Sequence, residues 1–582
     1  MPISLLEGNS LLAVDVGETT TRAAFFDVVD GVYRFIATGS APSSAGAPFK
    51  DIGLGVRDAI ESVQAVTGKT FLDAERRLIF PTQADGSGID SFAATLSAGP
   101  SIRVAIVGLL SDISLESARR LAETTYSRIV ERLDLADRRR ADEQIDALLR
   151  ARPDLILLTG GTDGGASRSV QKMLDTAGLA CYLMPPEKRP AILFAGNSNL
   201  AEDVKSLMEG LTPNLYLSPN VRPSLETEDI NPAMRDLAQA AIAIRRRQIN
   251  GVEELEGWSQ GHILPTSYAS ARMIRFLSLG AAAGVLGVNL GASAASVAAG
   301  FNGKLSLRTY PQFGLGENLA TLLQSSKIED FTRWLSLDIH ENAMRDALYQ
   351  KSLYPSAIPA TSEDRVISHA ITRQALHLAA RAARKDFPAS ARAPRPELLP
   401  FFEMIIASGA ALTDGSTPGQ NLLLLLDAIQ PVGVTQIMLD RNNLLPLLGV
   451  AAEKNQLLPV QTLESGAFQN LGSSVSVVSG ASYGTPVLQA RLSYSDRSET
   501  RVDVKHGTLE VLPLAQGQSA RLHLQPLNRA DVGAGPWRAL TVPVNGGALG
   551  VVIDARGRPL QLPSDAVRRR ELYKKWLWTL GG

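Results

Sequence analysis

Two short segments of this chain carry the residue types that grip phosphate. In Val14-Asp15-Val16-Gly17-Glu18-Thr19-Thr20-Thr21 and in Val288-Asn289-Leu290-Gly291-Ala292-Ser293-Ala294-Ala295, an apolar run leads into a polar residue, a bulky aliphatic and a glycine. A hydroxyl residue follows two places after each glycine, Thr19 or Ser293, and apolar residues then resume. The pattern predicts strand, tight turn, strand, with glycine where the turn needs a positive φ or a close backbone approach. Such a turn aims successive N–H groups and hydroxyls at one point, which suits a phosphate. Each alone also reads as an ordinary hairpin; the pair implies one half-fold built twice, whose two turns together clamp a polyphosphate.

A third segment is rich in glycine. The apolar run Leu155–Leu158 ends in Thr159-Gly160-Gly161-Thr162-Asp163-Gly164-Gly165, and a helical pattern starts near Val170. A glycine loop between a buried strand and a helix N-terminus is a usual place for a phosphate or another anion, and equally the form of a plain connecting loop. It is neither a Walker A loop nor a dinucleotide fingerprint, because both glycine spacings are missing. Asp163 is the carboxylate here that a general-base role would call on; its alternative is a turn residue.

The elements that must position these segments alternate between strand and helix. After the first hairpin come a β segment over 31–38 and a helix over 51–66. A continuous strand is predicted over 103–110, then a helix N-capped by Ser114 with Leu115, Ala118, Ala122, Ile129 and Leu133 near one face. Further helix is predicted over 145–151 and 226–249, and further strand over 191–195, so the sheet is at least partly parallel. From Gly284 the plan repeats, with a late strand at Met404–Ala407 running into Ser408-Gly409-Ala410 and a helix opened by Pro418. From about Val487 short alternating strands predict a small β domain. The expected divisions are 1–270, 271–484 and 485–582.

Composition sets the bounds. A chain of 582 residues is too long for one core. The formal net charge of −1 supplies no whole-molecule case for nucleic acid or an acidic membrane. The triplets Arg138–Arg140, Arg245–Arg247 and Arg568–Arg570 read as solvated helix faces. One cysteine, Cys181, excludes an intramolecular disulfide and a thiolate metal cluster and fits a reducing cytosol. The six histidines show no metal-ligand spacing, so no built-in zinc or iron site is expected. The N-terminus lacks the pattern of a signal peptide. The uncharged stretch 276–301 is long enough to span a bilayer, but its Ala, Gly and Ser content and central Asn289 predict buried strands.

Asp15–Arg22, Ser97–Val104, Leu157–Gly165, Phe194–Asn197 and the turn at Asn289, taken in order, resemble the actin-like ATPase superfamily of actin, sugar kinases and heat-shock chaperones. More closely, the chain resembles the glutamate mutase L family over roughly residues 10–480. The resemblance implies an α/β fold of duplicated actin-like, ribonuclease H-like domains with a small C-terminal β domain. It implies ATP with Mg²⁺, Asp15, Gly17, Thr19 and Thr21 lining the first phosphate turn with Arg22 beside them, and Asp15 organising the metal. Asn289, Gly291 and Ser293 would form the second turn, with Asp15 and Asn289 at the catalytic positions. Ser408, Gly409 and Ala410 would lie beside the adenosine, and Gly160, Gly161 and Asp163 remain the third phosphate-binding segment.

Two departures bear on turnover. The family's second turn begins with an acidic residue, and the Asn289 amide cannot act as a base and holds a divalent cation poorly. Glu18 replaces a small polar residue, placing a carboxylate near phosphate oxygens unless Mg²⁺ or Arg22 compensates. Nucleotide binding therefore survives better than rapid hydrolysis. Genes of the family accompany adenosylcobalamin-dependent mutases, so the resemblance implies a cytoplasmic, ATP-driven chaperone or reactivating factor for such a mutase, closing its two halves around Mg-ATP. The chain lacks the Asp-x-His-x-x-Gly cobalamin motif and is not expected to be the mutase itself. The rival readings are a metabolite kinase with Asp163 as base, and an assembly scaffold that binds nucleotide without turnover, which Asn289 and Glu18 favour.

Overall fold

The computed structural model describes residues 10–581, so the expectation of no signal peptide at the first nine residues lies outside the described residues. The chain divides into two compact units. The first takes in residues up to Asp27, Ile36–Ala269 and Leu307–Pro311; the second takes in Val28–Phe35, Ser270–Ser306 and the described chain from Gln312 onwards.

In the first unit, β1 (Leu11–Val16) is buried along its whole length, as an inner strand covered on both faces must be. It pairs antiparallel with β2 (Thr20–Val29), which is flanked by β3 (Val32–Pro42). The helix Ile52–Thr67 follows, N-capped by Asp51, whose side chain accepts the Gly53 N–H. Next, β4 (Ser91–Leu96) returns parallel to β1. A second sheet is then inserted: β5 (Ile102–Val107), β6 (Ser127–Leu133), β7 (Leu155–Leu158), β8 (Ala191–Phe194) and β9 (Leu215–Leu217), all parallel in the order β6-β5-β7-β8-β9. Finally β10 (Ile263–Pro265) pairs parallel with β4, completing the order β10-β4-β1-β2-β3.

The second copy of that order lies in the second unit apart from Leu307–Tyr310, which cluster with the first. Strands β11 (Gly284–Leu290), β12 (Ala295–Phe301), β13 (Lys304–Tyr310), β14 (Phe402–Ser408) and β15 (Gly433–Asp440) run β13-β12-β11-β14-β15. An antiparallel hairpin followed by parallel strands, met twice, is the duplicated ribonuclease H-like plan of the actin-like fold. The second copy is extended by β16 (Gln469–Ser476), antiparallel to β15. Of the C-terminal strands, β17 (Pro486–Ser493), β18 (Glu499–Lys505), β20 (Ser519–Pro526) and β21 (Leu540–Asn545) form a separate sheet. In contrast, β19 (Leu509–Leu512) and β22 (Val551–Asp554) join the edge of the larger sheet through β16.

Several local expectations need correction. The helix from Ser114 ends at Ala122, and Ile129 and Leu133 belong to β6. Thr124 Oγ1 donates to Leu121 O and Ser127 Oγ to Ala122 O, satisfying the last helical carbonyls and releasing the β-branched run to a strand. Ser114 is the first helical residue and Ile113 the N-cap; its hydroxyl instead bonds back to the Leu110 backbone. The helix expected over 226–249 spans Asn231–Gln248, opening on a proline in its first turn. Arg245 is not a solvated cation, being 4% exposed with its guanidinium over the Tyr126 ring. The uncharged stretch 276–301 holds β11 and β12, and no helix among the described residues is long and apolar enough to cross a membrane.

Candidate functional site

In the first unit, the β1–β2 turn closes with a Gly17 N–H to Thr20 O hydrogen bond of 3.1 Å. A Cβ on Gly17 would lie 2.8 Å from Thr20 O, so close approach makes glycine necessary there. Asp15, next to last in β1, is 5% exposed and sits directly opposite Thr95 of β4 and Arg22 of β2. Thr95 Oγ1 and Thr266 Oγ1 each donate to Asp15 Oδ1 at 2.7 Å. Thr266 opens the helix directly after β10. These two hydroxyls, which sequence reading missed, hold the carboxylate at the sheet's carboxyl end. Thr19 is partly exposed in the turn, whereas Thr21 faces the core with its hydroxyl buried and unpartnered.

Glu18 does not depend on Arg22. Its Oε2 accepts the Gly99 N–H at 2.9 Å. Gly99 has φ +95°, and a Cβ there would lie 3.0 Å from the Arg245 guanidinium. Burial pushes Arg245 down to about 10, against the opposing pull of Tyr126, Asp154 and Glu18. The charge that sequence reasoning set against phosphate is therefore engaged by the loop after β4 and a buried cation.

The Gly160–Gly165 segment stands on the inserted sheet, apart from the sheet that carries Asp15. Its loop follows β7, next to β5, where the strand order reverses, the usual ligand crevice of a doubly wound sheet. Gly160 and Gly161 both have positive φ. Asp163 accepts the Ser198 N–H at 3.0 Å and Asn220 Nδ2 at 2.9 Å. Those bonds hold its carboxyl below the usual carboxylate range, the Ser198 N–H contributing most. Asn197, wholly buried, accepts the Gly164 N–H and donates to Gly165 O. Asp163 thus stabilises the loop and is poorly disposed to act as a base.

In the second unit, Gly291 N–H donates to Ala294 O at 3.1 Å, matching the first turn. Gly291 has no positive φ, and a Cβ would meet only ordinary contacts, so the backbone demand expected of it is met at Gly17 alone. The structure brings Asn289, Gly291, Ser293, Ser408 and Gly409 together: Asn289 pairs in register with Ser408, and a Cβ on Gly409 (φ +94°) would lie 2.5 Å from Leu290 O. Ala410 begins the one-turn helix that follows. Unforeseen support comes from Gly314-Leu315-Gly316. Leu315 N–H donates to Gly291 O and Gly316 N–H to Ala292 O, and a Cβ on Gly314 would lie 2.5 Å from Ser293 O. A Gly-x-Gly after a strand was the available signal.

The two halves differ in where the carboxylate stands. Ser408 is the counterpart of Thr95, but its hydroxyl donates to Asp440 Oδ2 at 3.2 Å. Asp440, at the end of β15, also accepts the Leu444 and Leu445 N–H groups that open the next helix. The acid is on the first strand in one half and on the last in the other, where it serves as a helix cap. No group of His, Cys, Asp and Glu among the described residues forms a protein-only metal cage. Asp15 fits Mg²⁺ of the kind that keeps phosphate and water ligands and takes a single carboxylate.

The family model described as MutL protein matches residues 11–466. "Protein MutL" of Clostridium tetanomorphum is 26% identical over 187 residues, which is 32% of this chain and 38% of that protein. The match thus spans well under half of that curated relative's length. Among solved structures, nucleotide-free acetone carboxylase is 13% identical with TM-score 0.32, covering 88% of this chain and 82% of its own. Glycerol dehydratase reactivase is 11% identical with TM-score 0.30, covering 77% of this chain and 100% of its own.

Proposed function

The chain belongs to the MutL protein family, that of glutamate mutase L, and on that premise we propose that it is an ATP-binding actin-like protein serving as chaperone or reactivating factor for an adenosylcobalamin-dependent mutase. The observation that carries the nucleotide reading is the duplicated strand–turn–strand, with Asp15 held by two threonine hydroxyls in one copy and Asn289 in its place in the other. Gly17, Thr19 and Arg22 of the first turn, and Gly291 and Ser293 of the second, would hold phosphate groups. Asp15 would hold Mg²⁺ by its carboxylate. When bound, the metal supplies charge neutralisation at the phosphates. Ser408, Gly409 and Ala410 would border the nucleoside.

Asn289 keeps hydrogen-bonding capacity without charge, which supports slow turnover and a role as a cytosolic nucleotide switch. Binding shifts such a switch only by the difference in ATP affinity between its two forms. The kinase alternative loses support because Asp163 is tied into its own loop. The scaffold alternative is favoured by Asn289 and separates from the switch by turnover. Isothermal titration with Mg-ATP, then phosphate release with and without a cobalamin mutase, separates the switch from the scaffold. Mutase-stimulated release supports the switch, binding without release supports the scaffold, and no binding overturns both.

A further inference from the structure

The helix Ser362–Ala383 carries Arg365, His369 and Arg373 at four-residue intervals, one above another on a single face. They line a cavity of about 220 Å³ bounded by Trp334 and by Tyr573 of the C-terminal helix Ala566–Thr579, and no carboxylate among the described residues lines it. Behind the cavity lies a buried ion network. Arg373 Nε donates to Asp427 Oδ2 at 2.9 Å and Arg556 Nη1 to Asp427 Oδ1 at 2.7 Å. Arg556 and Arg558 both donate to Asp554 Oδ2, at 2.8 and 2.7 Å. All five side chains are at most 5% exposed.

Three guanidiniums therefore share two carboxylates. Buried charge is tolerated when paired, and the remaining positive charge calls for a counter-ion. Arg373 engages Asp427 through Nε alone among the described residues, leaving its Nη donors to the cavity it lines. Arg365 is half-buried, has no ion pair among the described residues and adds a second positive charge at the cavity. Burial and these two guanidiniums push the His369 imidazole down to about 3, so it is neutral at pH 7 and contributes hydrogen bonding.

We propose that this cavity binds the phosphate group of a small ligand, a dianion matching the net excess of two positive charges, with Arg365 and Arg373 as its donors and His369 between them. The site shares no residue with either turn or with Ser408–Ala410, so it stands apart from the ATP reading. The test titrates inorganic phosphate, and separately glycerol phosphate, into the full chain at ionic strength matched with chloride. Wild type and Asp15→Ala should bind saturably, whereas Arg365→Gln should weaken binding by about tenfold or more, as loss of a charge-assisted donor requires. Wild-type imidazole NMR at neutral pH supplies a readout that needs no variant: phosphate should shift the His369 ring resonances. The proposal is overturned by absence of binding, by an unmoved imidazole, or by binding lost in Asp15→Ala and kept in Arg365→Gln. Failure of Mg-ATP to bind wild type would sink the nucleotide reading and leave this one standing.

Discussion

The Glu18 carboxylate accepts the Gly99 N–H at 2.9 Å, on a loop that lies against Ile249 and the buried Arg245 guanidinium. A carboxylate satisfied in this way repels a nucleotide weakly. Glu18→Gln, which keeps the acceptor, should therefore change the Mg-ATP dissociation constant by less than about threefold, the scale of a screened surface charge. Titration calorimetry decides it, and a tightening beyond tenfold would mean that Glu18 faces the phosphates.

Asp15 Oδ1 accepts the hydroxyls of both Thr95 and Thr266. Replacing either threonine by valine preserves shape and removes one bond, at a stability loss of about 1 kcal/mol. The paired change should erase most of the difference in ATP affinity between Mg²⁺ and EDTA, as should Asp15→Ala. If the Mg²⁺ dependence survives both, the metal is held elsewhere.

Asn289 stands where the family pattern has an acid. Asn289→Asp should raise basal phosphate release by about tenfold or more if the missing carboxylate limits turnover, given that positioned acids and bases contribute about 10²–10⁴. An unchanged rate would argue against the assignment of the second turn.

Asp427 receives Arg373, Arg556 and the Tyr573 hydroxyl while wholly buried. Removing its charge leaves the buried Arg373 without a carboxylate, while Arg556 keeps Asp554. Asp427→Asn should lower stability by about 3–5 kcal/mol, far more than loss of a surface pair. Denaturant melts measure this, and a loss below about 1 kcal/mol would show that water reaches the network.

Burial pushes His369 down to about 3 and His377 to about 4, from 6.5. Between those values and 6.5 the unfolded chain binds protons that the folded chain refuses, so stability rises with pH across that window. Acidification from pH 7 to 5 should lower the melting temperature, with a slope of up to about 1.4 kcal/mol per pH unit for each histidine. His377→Gln should flatten the slope, and an unaltered slope would assign it to other groups.

The paired turns were legible because their signal is local: an apolar run, a glycine and a hydroxyl within eight residues state the strand, the reversal and the donors together. Repetition of that signal carried the duplicated fold, and the texture of short alternating strands carried the C-terminal sheet. The helix over-extended through Ile129 shows the limit, since a helical spacing of apolar residues persisted into a segment whose carbonyls were already capped.

Everything that sets the strength of the site lay beyond such windows. Thr95 and Thr266 meet Asp15 across separations of 80 and 251 residues, and Arg556 meets Asp427 across 129. A hydrogen bond depends on where two strands end in space, and no periodicity in the chain encodes that. The residue types at the turns could be read in line; whether Glu18 is satisfied, whether Arg245 is dry, and which strand keeps the acid in each half were settled by packing.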